Sequence, residues 1–287
     1  MRRSLIAVGL AAVFVLFWPA SALASTAPGL GTAGAYAILA GTPSITNTGP
    51  STVSGSVGIF PAASVVGFPP CVAPCATVTN GTVQAGTAAA GTAKGDLTAA
   101  YGVAASSPCN FNKTGQNLGT QTLTPGTYCQ TTAPTLTGVL TLSGNGVFIF
   151  QIGSTLVTAA GSAVVLINGA QPCNVFWQVS SSATFNTTTS FVGTVMALTD
   201  ISMSNAVTLQ GRALARNGAV TLINDTITAP TACAAVTVAG PTAVLPGSTG
   251  VPLEMQGGFP WLVLLGFGAG AAAVVMGMSS RRRRRSS

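Results

Sequence analysis

Between Ser25 and Gly250 the charged side chains are Lys94, Lys113, Arg212, Arg216, Asp96, Asp200 and Asp225. The chain has no histidine, and its single glutamate, Glu254, falls in the stretch leading to an apolar C-terminal segment. General acid–base chemistry near neutral pH would therefore fall to an aspartate, to Lys94 or Lys113, or to a thiol. None of these stands in a nucleophile, metal-ligand or phosphate-loop pattern. Asp96 reads as a helix-surface partner in the neighbourhood of Lys94. Arg212 and Arg216, in GRALARNG, read as corner groups hydrogen-bonding Asp225 or backbone carbonyls. Only Asp200 and Asp225 lie near the repeated strands described below, too few for the clustered carboxylates of a solenoid hydrolase or lyase. The chain is read as a non-enzyme with no cofactor and no metal.

The chemistry the sequence does carry is that of uncharged hydroxyls. SSSATFNTTTSFVG, Ser180 to Gly193, holds eight Ser or Thr residues and one Asn, with no charge. Six cysteines, Cys71, Cys75, Cys109, Cys129, Cys173 and Cys233, are an even number in a chain that reads as exported, so they are expected in disulfides. Fifteen connectivities are open, and the preferred set is Cys71 with Cys75, Cys109 with Cys129, and Cys173 with Cys233.

The elements that would position those hydroxyls form an internal repeat. VFIFQIGSTLVTAAGSAVVL from Val147, VFWQVSSSATFNTTTSFVGT from Val175, VMALTDISMSNAVTLQGR from Val195 and ALARNGAVTLINDTITAP from Ala213 share one plan. Each opens on an apolar run, passes a Gly, Ser or Asp corner and continues as a threonine-rich strand. The last starts are 20 and 18 residues apart, which suits one turn of a three-faced solenoid with strands of about five residues. Side chains alternate along a strand, so Leu156, Phe185, Met203 and Leu222 are expected to stack inside. Their neighbours Thr155, Val157, Thr184, Asn186, Ser202, Ser204, Thr221 and Ile223 then face water as the candidate contact surface. Thr189, Thr208 and Thr226 form a second candidate column. Thr52-Val53-Ser54-Gly55 and Thr141-Leu142-Ser143-Gly144 match Thr208-Leu209-Gln210-Gly211, and Ile45-Thr46-Asn47-Thr48 belongs to an early coil. Between the two sets, alanine-rich Val83 to Ala105 is expected to be a helix. Gly86, Gly91 and Gly95 would weaken it by about 1 kcal/mol each if exposed, so close packing on a solenoid face is expected.

Both ends read as targeting segments. Arg2 and Arg3, an apolar run and Ala22-Leu23-Ala24 make residues 1–24 a secretory signal peptide. Residues 237–258 are a linker containing LPGSTG, Leu245 to Gly250, which is similar to a sorting signal of the LPxTG type with Ser248 inserted. Residues 259–278 are apolar and long enough to span a bilayer, and the basic tail 279–287, with Arg281 to Arg285, marks a cytoplasmic end. The expected location is therefore the cell surface. Those end segments also hold seven of the eleven basic residues. The part between Ser25 and Gly250 has four basic and three acidic residues, a balance of plus one, and no patch that would bind nucleic acid.

Seven stretches together make the chain similar to a known family: LGTAGAYAILAG, ITNTGPSTVSGSVGIFP, VGFPP, TLTPGTYC, VFIFQIGSTL, LINGAQPCNVFWQV and GRALARNGAVTL. They run in order from Leu30 to Cys233 and resemble the microbial ice-binding (antifreeze) proteins. The resemblance implies a mainly β fold over residues 25–236: a right-handed, discontinuous β-solenoid of triangular section with one long α-helix alongside. It also implies a flat face that binds ice; the domain is expected to be monomeric. Family faces carry ladders of the T-A/G-x-T/N type, and here the second position is Leu, Phe or Met. The alternative function for the same fold is a surface adhesin that binds polysaccharide, which calls for exposed aromatic residues.

Overall fold

The structure is a computed structural model that describes residues 25–231 of the 287 in the chain. The signal peptide, the linker, the apolar span, the basic tail and Cys233 lie outside the described residues.

A full coil lays three short strands end to end, one on each face of a solenoid. Phe148–Ile152, Leu156–Thr158 and Ala163–Ile167 make one such coil. It pairs in parallel with the next through Phe148 and Val175, Val157 and Thr184, and Ala163 and Ser190. Parallel strands need a crossover between them, and here the other two sides of the coil supply it.

The second face is a seven-stranded parallel sheet. Its spatial order is Thr135–Leu136, Leu156–Thr158, Ala183–Phe185, Ile201–Met203, Val220–Ile223, Ser44–Thr48 and Ser64–Val66. The last two strands come from the start of the chain yet stack on its end. Ile38 pairs with Ala213, Thr46 with Thr221, and Thr52 with Thr226, so the early coils dock on the final ones on every face. This is the discontinuity that the family resemblance implies.

The helix covers Ala88–Ser106, capped by the Thr87 side chain, which accepts the Ala90 N–H at 3.2 Å. The sequence reading placed its start at Val83. Instead Val83–Ala85 is a strand paired with Ser56–Ile59, and the chain turns at Gly86, φ +64°, before the helix begins. Nineteen residues at about 1.5 Å each reach about 28 Å, the height of about six coils, so the helix carries the chain from one end of the stack toward the other. Its inner stripe is Ala90, Ala93, Leu97, Ala100, Tyr101 and Ala104, packed on Leu39, Ile149, Phe176, Met196 and Leu214. The alanines in that stripe allow the close approach. The glycines within the helix contribute little: a β-carbon on Gly95 or Gly102 would meet nothing, and of the three only Gly91 comes close to another side chain, that of Phe60.

Strands beneath the helix are therefore buried on both sides, which explains the unbroken apolar runs VFIF, VFWQV and VMAL. Val175–Val179 is buried throughout. An aromatic column runs from Phe111, exposed at the end of the stack, through Tyr128, Phe150 and Trp177 inside the coils, with ring centroids 5.0, 5.3 and 3.9 Å apart. Trp177 donates its indole N–H to the Val192 carbonyl at 3.0 Å. At the corner between the third and helix faces, Gly193 has φ +112°, and a β-carbon at Gly211 would collide with the Gly193 carbonyl.

Cys71–Cys75 and Cys109–Cys129 are disulfides, as preferred from the sequence. Cys173 is also disulfide-bonded, while its expected partner Cys233 falls outside the described residues.

Candidate functional site

Hydrogen-bonded strand pairing, not sequence spacing, decides which hydroxyls stand beside one another. On the second face the register aligns Thr135, Val157, Thr184, Ser202, Thr221, Thr46 and Val66 as one outward column. Asn186, Ser204, Ile223 and Thr48 continue the same strands outward in a second column. Seven of the eight expected contact residues fall in these two columns: Val157, Thr184, Asn186, Ser202, Ser204, Thr221 and Ile223.

The eighth, Thr155, does not. Leu156 pairs with Ala183 and not with Phe185, so this strand is shifted by two residues from the tetrapeptide alignment. Thr155 then lies level with Ser182, at the margin. A shift of two keeps every side chain on its own side of the sheet, which is why the residue types gave no warning. The sequence reading also left out Thr46 and Thr48. Their signal was present as Ile45-Thr46-Asn47-Thr48, but only the docking of the first coil on the last places Thr46 beside Thr221.

The column is held from below. Leu136, Leu156, Ala183, Phe185, Ile201, Val220 and Ile45 are fully buried under it. Strands of one sheet lie about 4.8 Å apart and alternate residues on a strand about 6.5–7 Å apart, so the outward side chains form a fixed two-dimensional grid. Ser202 and Thr221 hydroxyls are 3.3 Å apart across adjacent coils. Asn186 is less free, since its amide donates to the Thr158 carbonyl at 2.7 Å. Val157 and Ile223 are 40% and 44% exposed, so the grid presents methyls as well as hydroxyls.

Charge is kept elsewhere. Lys94 donates to the carbonyls of Ala215 and Arg216, and burial followed by the nearby Arg216 brings its pKa down to about 8. Asp96 accepts the N–H and the hydroxyl of Thr32, both at 2.6 Å, and these bonds hold its carboxyl below the usual range. It thus binds Thr32, with no ion pair to Lys94 needed to explain it. Arg212 donates to Gly34 and Pro230 carbonyls, and Arg216 lies over the Tyr101 ring at 5.5 Å. All four sit on the helix side of the molecule.

Asp200 and Asp225 are the two carboxylates near the ladder, and both serve the backbone. Asp200, exposed at the margin, accepts the Ala219 N–H at 2.8 Å. Asp225 is buried and accepts Val207 and Ile223 N–H groups, each at 2.8 Å. Burial still pushes its carboxyl up to about 6. Among the described residues no cluster of three metal-ligating side chains occurs. No aromatic residue stands in either column, whereas a sugar-stacking surface would expose one.

The sequence model of a family described as Ice-binding-like matches residues 38–228. An ice-binding protein of Nostoc sp. (strain HG1) is 43% identical over 232 residues, covering 79% of this chain and 82% of that one. An ice-binding protein of Flavobacterium frigoris (strain PS1) is 34% identical over 211 residues, 70% of this chain and 76% of that one. Among solved structures, an ice-binding protein from an Antarctic biological consortium matches with TM-score 0.68 and 42% identity, covering 74% of this chain and 95% of that chain. The ice-binding protein 1 domain of Shewanella frigidimarina matches with TM-score 0.66 and 31% identity, over 72% and 98%.

Proposed function

The chain belongs to the ice-binding family, and from that premise we propose that it binds ice through the second face, with Thr184, Ser202, Thr221 and Thr46 at the centre of contact. It is an ice-binding protein and not an enzyme, in keeping with its relatives. The observation that carries the choice of face is the register-aligned column over a fully buried underside. A rigid grid of hydroxyls and methyls, without ions that impose their own hydration geometry, can hold water in positions that join an ice plane. β-Branched threonine suits this because its χ1 is restricted. Molecules adsorbed on an ice front curve the surface between them, which opposes further growth and recrystallisation.

Ice recrystallisation inhibition by the wild type and by a Thr184→Tyr, Ser202→Tyr double variant tests the assignment. The wild type is expected to keep crystals small and the folded double variant to let them coarsen. Equal inhibition by both would move the site off this face.

We further propose that Phe259–Met278 with Arg281–Arg285 anchors the domain to the membrane with its tail inside the cell, after removal of residues 1–24. The support is the apolar length and the run of arginines. Ice binding would then hold a cell to ice as well as restrain crystal growth. Fractionation of the expressing cell is expected to place the chain with membranes, and recovery from the medium alone would contradict the anchor.

A further inference from the structure

We propose that the third face is a second ice-contact surface, joined to the first around their shared corner, so that the protein meets ice along a two-sided hydroxyl edge. This rests on the ice-binding reading of the second face and extends it to residues that reading does not use. Strand register aligns Ser190, Thr208, Thr226, Thr52 and Thr77 on consecutive rungs of the third face. All five are exposed. Gln210, Thr228, Ser54 and Thr79 form the next column along the same strands. The sequence reading had Thr189 in this ladder. The structure buries Thr189 in the corner, where its hydroxyl donates to the Asn186 carbonyl at 2.7 Å, and puts Ser190 in its place.

The two ladders share coils. Thr184 is followed by Ser190, Ser202 by Thr208, Thr221 by Thr226 and Thr46 by Thr52, so four consecutive coils each present a hydroxyl on both faces. On the coil beyond Thr184 both positions lose it together, as Val157 and Ala163. Exposure alone does not select threonine here. At the other end of the same third face Val139, Val165 and Ile167 are 47%, 41% and 41% exposed. No charged residue occurs in the third-face segments 190–192, 208–210, Thr226–Thr228, Thr52–Ser54 and Thr77–Thr79, since Arg212 lies past the Gly211 corner, while Asp200 borders the second face. Among the described residues, the hydroxyls of Thr208, Thr226, Thr52 and Thr77 are used in no hydrogen bond to the protein and are left for solvent.

The corner between the faces repeats with the ladders. Thr188, Ala206 and Asn224 each take a left-handed conformation, with φ of +58°, +62° and +56°. They are joined in series, Thr188 N–H to Asn205 carbonyl at 3.1 Å, Ala206 N–H to Ile223 carbonyl at 3.2 Å, and Asn224 N–H to Thr48 carbonyl at 3.0 Å. Beneath them Asp225 N–H donates to the Ser51 hydroxyl at 2.8 Å, fastening the last coil to the first. One turn geometry repeated from coil to coil fixes the angle between the two grids. A single flat grid matches one orientation of the ice lattice at a time. Two grids at a fixed angle allow adsorption to two sets of planes, or to the edge where such planes meet.

The test is the pattern in which dye-labelled, full-length protein decorates a single-crystal ice hemisphere. It compares the wild type with Thr208→Tyr/Thr226→Tyr, with Thr184→Tyr/Ser202→Tyr, and with the four substitutions together. Far-UV circular dichroism reports whether each variant keeps the β fold; where a tyrosine pair does not, Thr208→Val/Thr226→Val on the third face or Thr184→Val/Ser202→Val on the second, which remove hydroxyls with a smaller side chain, replace it. The expected result is loss of one set of decorated planes with each face blocked and loss of all decoration with both. Unchanged decoration and thermal hysteresis on blocking the third face overturn the second surface and leave the second-face assignment intact. Loss of all decoration on blocking the third face alone, with unchanged decoration on blocking the second, refutes the second-face assignment and with it the two-sided edge. Absence of decoration by the folded wild type refutes both.

Discussion

Asp225 shows how an ionisable residue can be spent on shape. Its carboxylate oxygens take the N–H groups of Val207 and Ile223, and its own N–H goes to Ser51, so the last ladder coil and the first are held at one point. Burial raises its pKa to about 6, above that of an ordinary carboxyl. The folded chain therefore keeps a proton there between about pH 4 and 6, where the unfolded chain has lost it. The resulting stabilisation is complete at lower pH and is lost as pH rises through about 6. It amounts to on the order of 2–3 kcal/mol. Thermal unfolding from pH 4 to 7 should show the wild type losing more stability than Asp225→Asn, and parallel profiles would refute the assignment. Much at this scale was readable in the sequence. The inward positions of Phe185, Met203 and Leu222 and the outward positions of Thr184, Ser202 and Thr221 follow from alternation alone. Alternation could not place Thr155, because a shift of two residues preserves the side of the sheet and changes only the neighbour.

The helix shows what composition does and does not say about an element. Alanine richness and the lack of alternation mark it, but Val83–Ala85 is drawn into a strand by the open edge of Ser56–Ile59. Tertiary pairing overrides propensity over three residues. The glycines carry a second lesson, since Gly95 and Gly102 face open space and do not enable close packing. Each gives up backbone entropy for no contact, so Gly95→Ala and Gly102→Ala should each stabilise the fold by about 0.5–1 kcal/mol. Chemical denaturation measures this directly, and destabilisation by either would show that its flank is covered. The strands under the helix were legible as apolar runs, though the sequence did not show what covered their outer side.

At the scale of the molecule, the fold separates charge from hydroxyl. Lys94, Asp96, Arg212 and Arg216 fasten the helix and the chain beside it, leaving the two remaining faces for threonine and serine. The sequence shows that charge is scarce between its ends, but not that Lys94, Asp96, Arg212 and Arg216 gather on the helix side while Asp200 and Asp225 are tied to the backbone at the edges of the ladder. It shows the repeat from Val147 onward, but not that the coil at Ser44–Thr48 completes it. Thr46 is the sharpest probe of the whole account, because it joins the ladder only if residues at the start of the chain stack beside Val220–Ile223 at its end. The decisive measurement is thermal hysteresis of the wild type beside Thr46→Tyr, with circular dichroism confirming that both are folded. The account predicts hysteresis in the wild type and its marked loss in the variant, since a tyrosine would stand beside Thr221 in the middle of the contact grid. Equal hysteresis in the two proteins would contradict the assignment of ice binding to this register-built face.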